Sequence, residues 1–232
     1  MPAFDPTTVL ELLGLPTEDS LAACPTRSKV DAESVFRVLL SRELGAATSR
    51  RVEAALSEAG WFEPGVLAAS DLAELRQFLA DERIRLGDVA LAKLRRLAVW
   101  VDALRVEDGS TSIGEGVDDE SLRESLRAVK GLGPATVDAI LLRGLGRAAF
   151  PVERAGYRIL ARHGWVDAAA GYDEARAVVE DAVDGDVAVL SALEAAFERV
   201  GREFCRPRAP RCERCKLRTL LPPNGPVHDE LD

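Results

Sequence analysis

Two helix-forming segments are joined by Lys130-Gly131-Leu132-Gly133-Pro134, and this junction restricts the chain more than any other stretch. Ahead of it, Ser121-Leu-Arg-Glu124 has the form of a capping box, in which the Ser hydroxyl and the Glu carboxylate satisfy the orphan amides of a helix start. A short helix is predicted from there to about Val129. Two glycines let the backbone turn tightly and approach a ligand without an intervening Cβ. Pro134 fits the first turn of the next helix, where no backbone donor is needed, so a second helix is predicted from Ala135 through Arg143. The amides of such a turn face outward and make a ready site for a phosphate. On these residues alone, plain helix–turn–helix packing explains the turn as well.

The rest of the chain repeats the helical signal. Val35, Phe36, Val38, Leu39 and Leu40 follow helical spacing between Asp31 and Leu44, with Gly45 as terminator. Further helices are predicted over Ser49 to Ala59 (Ser49 capping), Ser70 to Leu79, Asp88 to Leu104, Val152 to Arg162, Tyr172 to Val183 and Val187 to Val200. The N-terminal stretch to about Pro25 reads as a short helix and a loop. Glu107 to Asp119 is a loop, and a Pro/Gly-rich tail follows Leu221. Aromatics are only 5% of residues, and Leu, Ala and Val supply most of the apolar mass, which suits helix packing better than a β-sandwich. The fold class is all-α. Trp61, Trp100 and Trp165 are expected as core anchors, and His163 as a packed or surface residue. No stretch approaches the 18 or so apolar residues of a membrane helix. The first residues lack the pattern of a signal peptide, so a soluble, intracellular protein is expected.

The net charge of −9 argues at first sight against a polyanionic partner. The charge is uneven, however. Between Arg199 and Arg218 stand eight cations, Arg206, Arg208 and Arg211 among them, against only Glu203 and Glu213. A basic patch on an acidic body points to nucleic acid, with a solvated arginine-rich surface as the alternative. Of four cysteines, Cys205, Cys212 and Cys215 fall within eleven residues, and Cys24 stands apart. Disulfides are unexpected where thiols stay reduced, so the clustering favours a soft-metal or iron–sulfur site.

Val129-Lys-Gly-Leu-Gly-Pro-Ala-Thr-Val-Asp-Ala-Ile140 resembles the helix–hairpin–helix of the endonuclease III superfamily of DNA glycosylases. Phe150-Pro-Val-Glu-Arg-Ala-Gly-Tyr-Arg-Ile-Leu-Ala-Arg-His-Gly-Trp165 is similar to the segment that in this family carries a catalytic aspartate after a valine. Cys205-x6-Cys212-x2-Cys215 is similar to the first three ligands of the family's 4Fe-4S cluster. The matches occur in the family's order and span Val35 to Cys215. The resemblance implies a two-lobed helical protein with DNA in the cleft between lobes. Residues 25–147 would form a six-helix barrel with the hairpin at about 121–143, and residues 1–24 plus 148–232 the second lobe with the cluster loop at 205–215. It further implies excision of a damaged or mispaired base in base-excision repair, the nucleotide being extruded into a pocket. The implied partner is duplex DNA with a damaged, mispaired or abasic site, bound by a monomer in the cytoplasm (nucleoid-associated in a bacterium), with no membrane.

The chain departs from the family at several functional positions. Bifunctional members carry a lysine two residues after the hairpin's second glycine, whose amine attacks the sugar. Here that residue is Ala135, so lysine-dependent lyase chemistry is not expected, and Lys130 is read as a phosphate contact or a solvated amine. Glu153 takes the catalytic aspartate's place, with its carboxylate about one methylene farther out. Asp138 is a second candidate carboxylate, or a structural hydrogen-bonding residue. Leu39-Leu40-Ser41-Arg42-Glu43 resembles the family's Leu-Leu-Ser-x-Gln stretch, with Glu43 replacing the glutamine that enters the duplex; Arg42 or Arg50 is placed to compensate. DNA contacts are thus expected from Arg42, Glu43, Lys130, Gly131, Leu132, Gly133, Arg206, Arg208 and Arg211. Leu221 stands where the fourth cluster cysteine belongs. Cys24 is the candidate fourth ligand, with His228 or Asp229, a three-ligand zinc site or an empty loop as alternatives. These residues leave three functions open: a monofunctional glycosylase, a catalytically weak paralogue that binds distorted or abasic DNA, and a regulator or redox sensor whose cluster gates DNA affinity.

Overall fold

The computed structural model describes residues 2–15, 32–104, 114 and 116–227. The chain is all-α, with no strand among these residues. It divides into two compact units, Met1–Thr26 with Ala148–Asp232, and Arg27–Arg147. No helix of the described residues is long and apolar enough to cross a membrane.

The first unit opens with α1 (Pro6–Leu13), which Asp5 caps through its carboxylate and Gly14 ends at φ +68°. The second unit contains α2 (Ala32–Glu43), α3 (Ala46–Glu58), α4 (Pro64–Ala69), α5 (Leu72–Asp81), α6 (Asp88–Ala103), α7 (Asp119–Arg127) and α8 (Pro134–Ala139). One π-helical turn, Ile140–Gly144, continues α8. Back in the first unit come α9 (Arg154–Arg162), α10 (Tyr172–Ala182) and α11 (Val187–Glu203), then two 3-10 turns, Cys212–Arg214 and Lys216–Leu220.

Helices form where predicted, but their starts shift toward stronger acceptors. Asp118, not Ser121, caps α7: its carboxylate accepts from the Ser121 amide at 2.9 Å and the Ser121 hydroxyl at 2.7 Å. The helix predicted from Ser70 starts at Leu72, capped by Asp71, which accepts from the amides of Ala73 and Glu74. An aspartate carries charge as well as an acceptor, and charge at a helix N-terminus is favoured by the aligned peptide dipoles. Ser49 does not cap α3, which starts three residues earlier after Gly45 and buries that serine. Trp165 is a core residue at 4% exposure, but Trp61 and Trp100 are only half-buried. Trp61 stacks on Phe78 and Trp100 donates to Ser125.

Each unit has its own core. In the second, Val35, Phe36 and Leu39 of α2 are fully buried, and Phe36 meets Phe62 edge to face at 5.5 Å. Gly144 lets the π-helical turn lie directly on α2, since a Cβ there would stand 3.2 Å from Val35 Cα. In the first unit, Phe4 meets both Trp165 and Phe197 edge on, and Phe197 meets Phe150 in the same way. Gly201 of α11 faces Ala155 of α9, and a Cβ on it would fall 2.3 Å from the Ala155 Cβ. Neither backbone-attached atom can swing aside. Gly201→Val is therefore expected to force α9 and α11 apart, at about 1–3 kcal/mol or more of overpacking, seen as a lowered midpoint in thermal unfolding. Since Glu153 is the N-cap of α9, this contact also fixes where that residue sits.

Candidate functional site

The hairpin is built by α7, the glycine turn and α8. Gly131 adopts φ +100°, a conformation side chains rarely tolerate, whereas Gly133 is ordinary extended backbone at φ −85°, ψ 163°. A Cβ on Gly133 would meet nothing within 4 Å; one on Gly131 would press on the Lys93 stem at 3.2 Å. Gly131, Gly133 and Pro134 are exposed, Leu132 is half-exposed and Lys130 is exposed, with its carbonyl accepting from Arg96 Nη1 at 3.1 Å. Ala135 is half-buried in the first turn of α8.

Beneath the turn, Asp138 is fully buried and accepts from Arg123 Nε at 2.9 Å; Arg123, itself 4% exposed, also reaches Glu120 at 2.6 Å. This pair ties α8 to α7. Arg42 and Glu43 end α2 beside the hairpin: Arg42 Nε lies 3.2 Å from Thr136 Oγ1, and Glu43 pairs with Lys93 at 2.7 Å. Arg50 is exposed on α3.

In the other unit, buried Pro151 and Val152 deliver Glu153 to the N-cap of α9. The Tyr172 hydroxyl lies 3.3 Å from the Val152 amide, and the Tyr157 amide donates to the Glu153 carbonyl at 2.8 Å. The Glu153 side chain does not cap the helix amides; it is half-buried, with Oε1 shielded from solvent.

The Cys205, Cys212 and Cys215 thiols line one pocket with Arg162, His163, Phe204, Arg218 and Leu221, about 300 Å³ of empty space including its open mouth. Leu221 thus lies in the same pocket as the three thiols, as its sequence position suggested. Thiols are the donor type that an iron–sulfur group takes, but there are three where four are needed, and the leucine corner supplies no ligand. Among the described residues no group of three or more His, Cys, Asp and Glu side chains is close enough to hold a metal ion. Cys24, His228 and Asp229 lie outside the described residues. Burial pushes the Cys215 thiol above its ordinary value, opposed by a backbone hydrogen bond from Leu217.

The sequence did not flag what holds the cysteine loop. Arg158 and Arg162, one turn apart on α9, are both buried. Arg158 Nε donates to the Cys205 carbonyl at 3.2 Å, and burial lowers its proton affinity. Arg162 Nη1 lies 3.2 Å from Cys205 Sγ and donates to the Arg206 carbonyl at 2.8 Å, while Nη2 reaches the Pro207 carbonyl. Arg206, Arg208 and Arg211 are exposed on the loop so anchored. His163 is buried, stacked on Trp165, with Nδ1 2.7 Å from the Ile159 carbonyl; burial lowers its pKa. The available signal was the series Arg154, Arg158 and Arg162 at i, i+4 and i+8, which places three arginines on one helix face.

No protein-family model matches the chain. A Methanocaldococcus jannaschii protein described as a candidate DNA repair glycosylase is 31% identical over 97 residues, 42% of this chain and 44% of that protein. Endonuclease III of Sulfolobus acidocaldarius is 28% identical over 103 residues, 44% of this chain and 45% of the relative. The chain thus spans under half the length of the curated relatives it matches. Solved structures extend the likeness in fold. A trapped endonuclease III–DNA covalent intermediate has a TM-score of 0.61 at 19% identity, covering 94% of this chain and 95% of that one. A thermostable thymine-DNA glycosylase gives 0.59 at 17%, covering 92% and 93%. The H. pylori 3-methyladenine DNA glycosylase bound to 1,N6-ethenoadenine gives 0.61 at 16%, covering 86% and 98%. Over about two-fifths of its sequence, and in fold over nearly all of its length, this chain is similar to endonuclease III and related DNA glycosylases.

Proposed function

We propose that the chain is a monofunctional DNA glycosylase that removes a damaged or mispaired base, with Glu153 as the catalytic carboxylate. The carrying observation is the half-buried Glu153 after Pro151-Val152, at the N-cap of a helix locked by Gly201 and Ala155. As the base departs, positive charge grows on the sugar, and a fixed carboxylate stabilises it and helps activate water. Ala135 offers no nucleophile, so the sugar is not captured and the strand stays intact. Asp138, buried against Arg123, anchors the hairpin in this reading and takes no part in the chemistry.

Lys130, Gly131, Leu132 and Gly133 hold the phosphate backbone, Arg42 and Glu43 border the duplex, and Arg206, Arg208 and Arg211 add cationic contacts. An iron–sulfur cluster, when bound, would be held by the thiolates of Cys205, Cys212 and Cys215 and supply rigidity to the arginine loop. Cys24 is the proposed fourth thiolate. Arg162 positions that loop from below through the Arg206 and Pro207 carbonyls.

Base release from a lesion-bearing duplex, read as breaks that appear only after hot alkali, tests the monofunctional reading; breaks without alkali would overturn it. Gly133→Phe supplies a second test. Open space around Gly133 and its ordinary backbone leave the fold intact, while a bulky ring blocks the approach of a phosphate. Duplex affinity in fluorescence anisotropy is expected to fall about tenfold, a loss of about 1.4 kcal/mol, with unchanged thermal unfolding. Unaltered affinity would remove the hairpin from the interface. Glu153 and Glu43 in place of the family's aspartate and glutamine favour one second reading, a weakly catalytic paralogue that binds abasic or distorted DNA.

A further inference from the structure

We propose that Lys93 is a phosphate-binding residue of the hairpin and that Glu43 occupies it as a stand-in for phosphate until DNA arrives. The inference rests on the DNA-binding reading above. Lys93 lies on α6, outside every motif of the sequence, 38 residues from the glycine turn. Its stem nonetheless runs across Gly131: a Cβ built on that glycine would lie 3.2 Å from Lys93 Cγ and 3.3 Å from Cε. The bare glycine therefore makes room for the lysine as well as for the turn, and the packed stem aims the ammonium beside the hairpin.

That ammonium is bonded at 2.7 Å to Glu43 Oε1. Lys93 and Glu43 keep 18% and 24% of their side-chain surface exposed. An ion pair reached by water is weak and readily exchanged, and lysine binds phosphate as a compact point charge. Arg96, one turn along α6, donates to the Lys130 carbonyl, and Arg42 reaches Thr136, so further cations surround the same turn. A phosphate oxygen arriving there can take over the contact that the Glu43 carboxylate holds. Glu43, at the duplex-bordering end of α2, is then released from Lys93.

The test measures duplex binding against salt concentration for the native chain, Lys93→Met, Glu43→Gln and the double variant. Met keeps the stem on Gly131 and removes only the charge; Lys93→Arg, which keeps the charge, checks that position tolerates change. Lys93→Met is expected to weaken binding and to lower the slope of log K against log[salt] by about 0.9, the value for one lost phosphate contact. Lys93→Arg is expected to keep the native slope. Glu43→Gln is expected to tighten binding several-fold in the native background and to have little effect beside Lys93→Met. Equal tightening in both backgrounds would mean simple repulsion between Glu43 and DNA and would overturn the proposal, as would an unchanged slope in Lys93→Met. A native chain that binds no duplex at any salt concentration would instead remove the DNA-binding reading itself.

Discussion

Glu153→Gln is expected to slow base release by at least about a hundredfold to a thousandfold, the scale of losing one preorganised charge-stabilising group, while duplex affinity stays within a few-fold of native. The amide copies the carboxylate in size, so the buried Oε1 position remains filled and α9 keeps its start. What disappears is the negative charge that, in the proposed mechanism, faces the developing positive sugar. Glu153→Asp separates charge from reach. It keeps the carboxylate and withdraws it by one methylene, and a displacement of about 1 Å costs on the order of a hundredfold. Single-turnover rates are therefore expected to rank native, then Asp, then Gln. A Gln variant as fast as the native chain would exclude Glu153 from the chemistry.

Asp138→Ala is expected to produce the largest loss of stability. It takes from Arg123, 4% exposed, the buried carboxylate that Nε contacts at 2.9 Å, leaving Nη1 its contact with the exposed Glu120. Breaking a buried pair by deleting one partner costs about 3–5 kcal/mol. At about 2–4 °C per kcal/mol for a chain of this size, the unfolding midpoint is expected to drop by about 10 °C. Replacing both residues by apolar ones, Arg123→Met with Asp138→Leu, is expected to recover most of that loss, because no charge is left buried alone. Calorimetry of the three variants checks this. If Asp138→Ala melted like the native chain yet released no base, Asp138 would be a reacting group and the hairpin-anchor role would fall.

Much of this architecture is legible in the residues themselves, and the exceptions have physical causes. The apolar spacing of Val35 to Leu40 and the Gly131-Leu-Gly133-Pro134 turn announced α2 and the hairpin because their signals are local. Helix starts were misplaced by two to three residues where Asp118 and Asp71 outcompeted nearby serines for the orphan amides. The π-helical turn Ile140–Gly144 left no mark, since its apolar residues satisfy an ordinary helical period equally well.

The electrostatic wiring was hidden for a different reason. Arg123 with Asp138, Lys93 with Glu43 and Arg162 with the Cys205 loop join residues 15, 50 and 43 apart, and only the packed chain brings them together. Buried arginines in particular read as surface charge in a sequence. Leu221 is the opposite case: the family resemblance put it at the fourth cysteine's position, and it lines the pocket that holds the three thiols.

The most direct test of the account is a single-turnover assay of the native chain on duplexes carrying thymine glycol, uracil, an alkylated purine, or adenine opposite oxidised guanine. Each reaction is split into samples with and without hot alkali. The account predicts that at least one lesion yields strand breaks in the alkali-treated half alone. Silence on every lesion, from protein that still binds the duplex, would contradict it and leave the chain a DNA-binding paralogue.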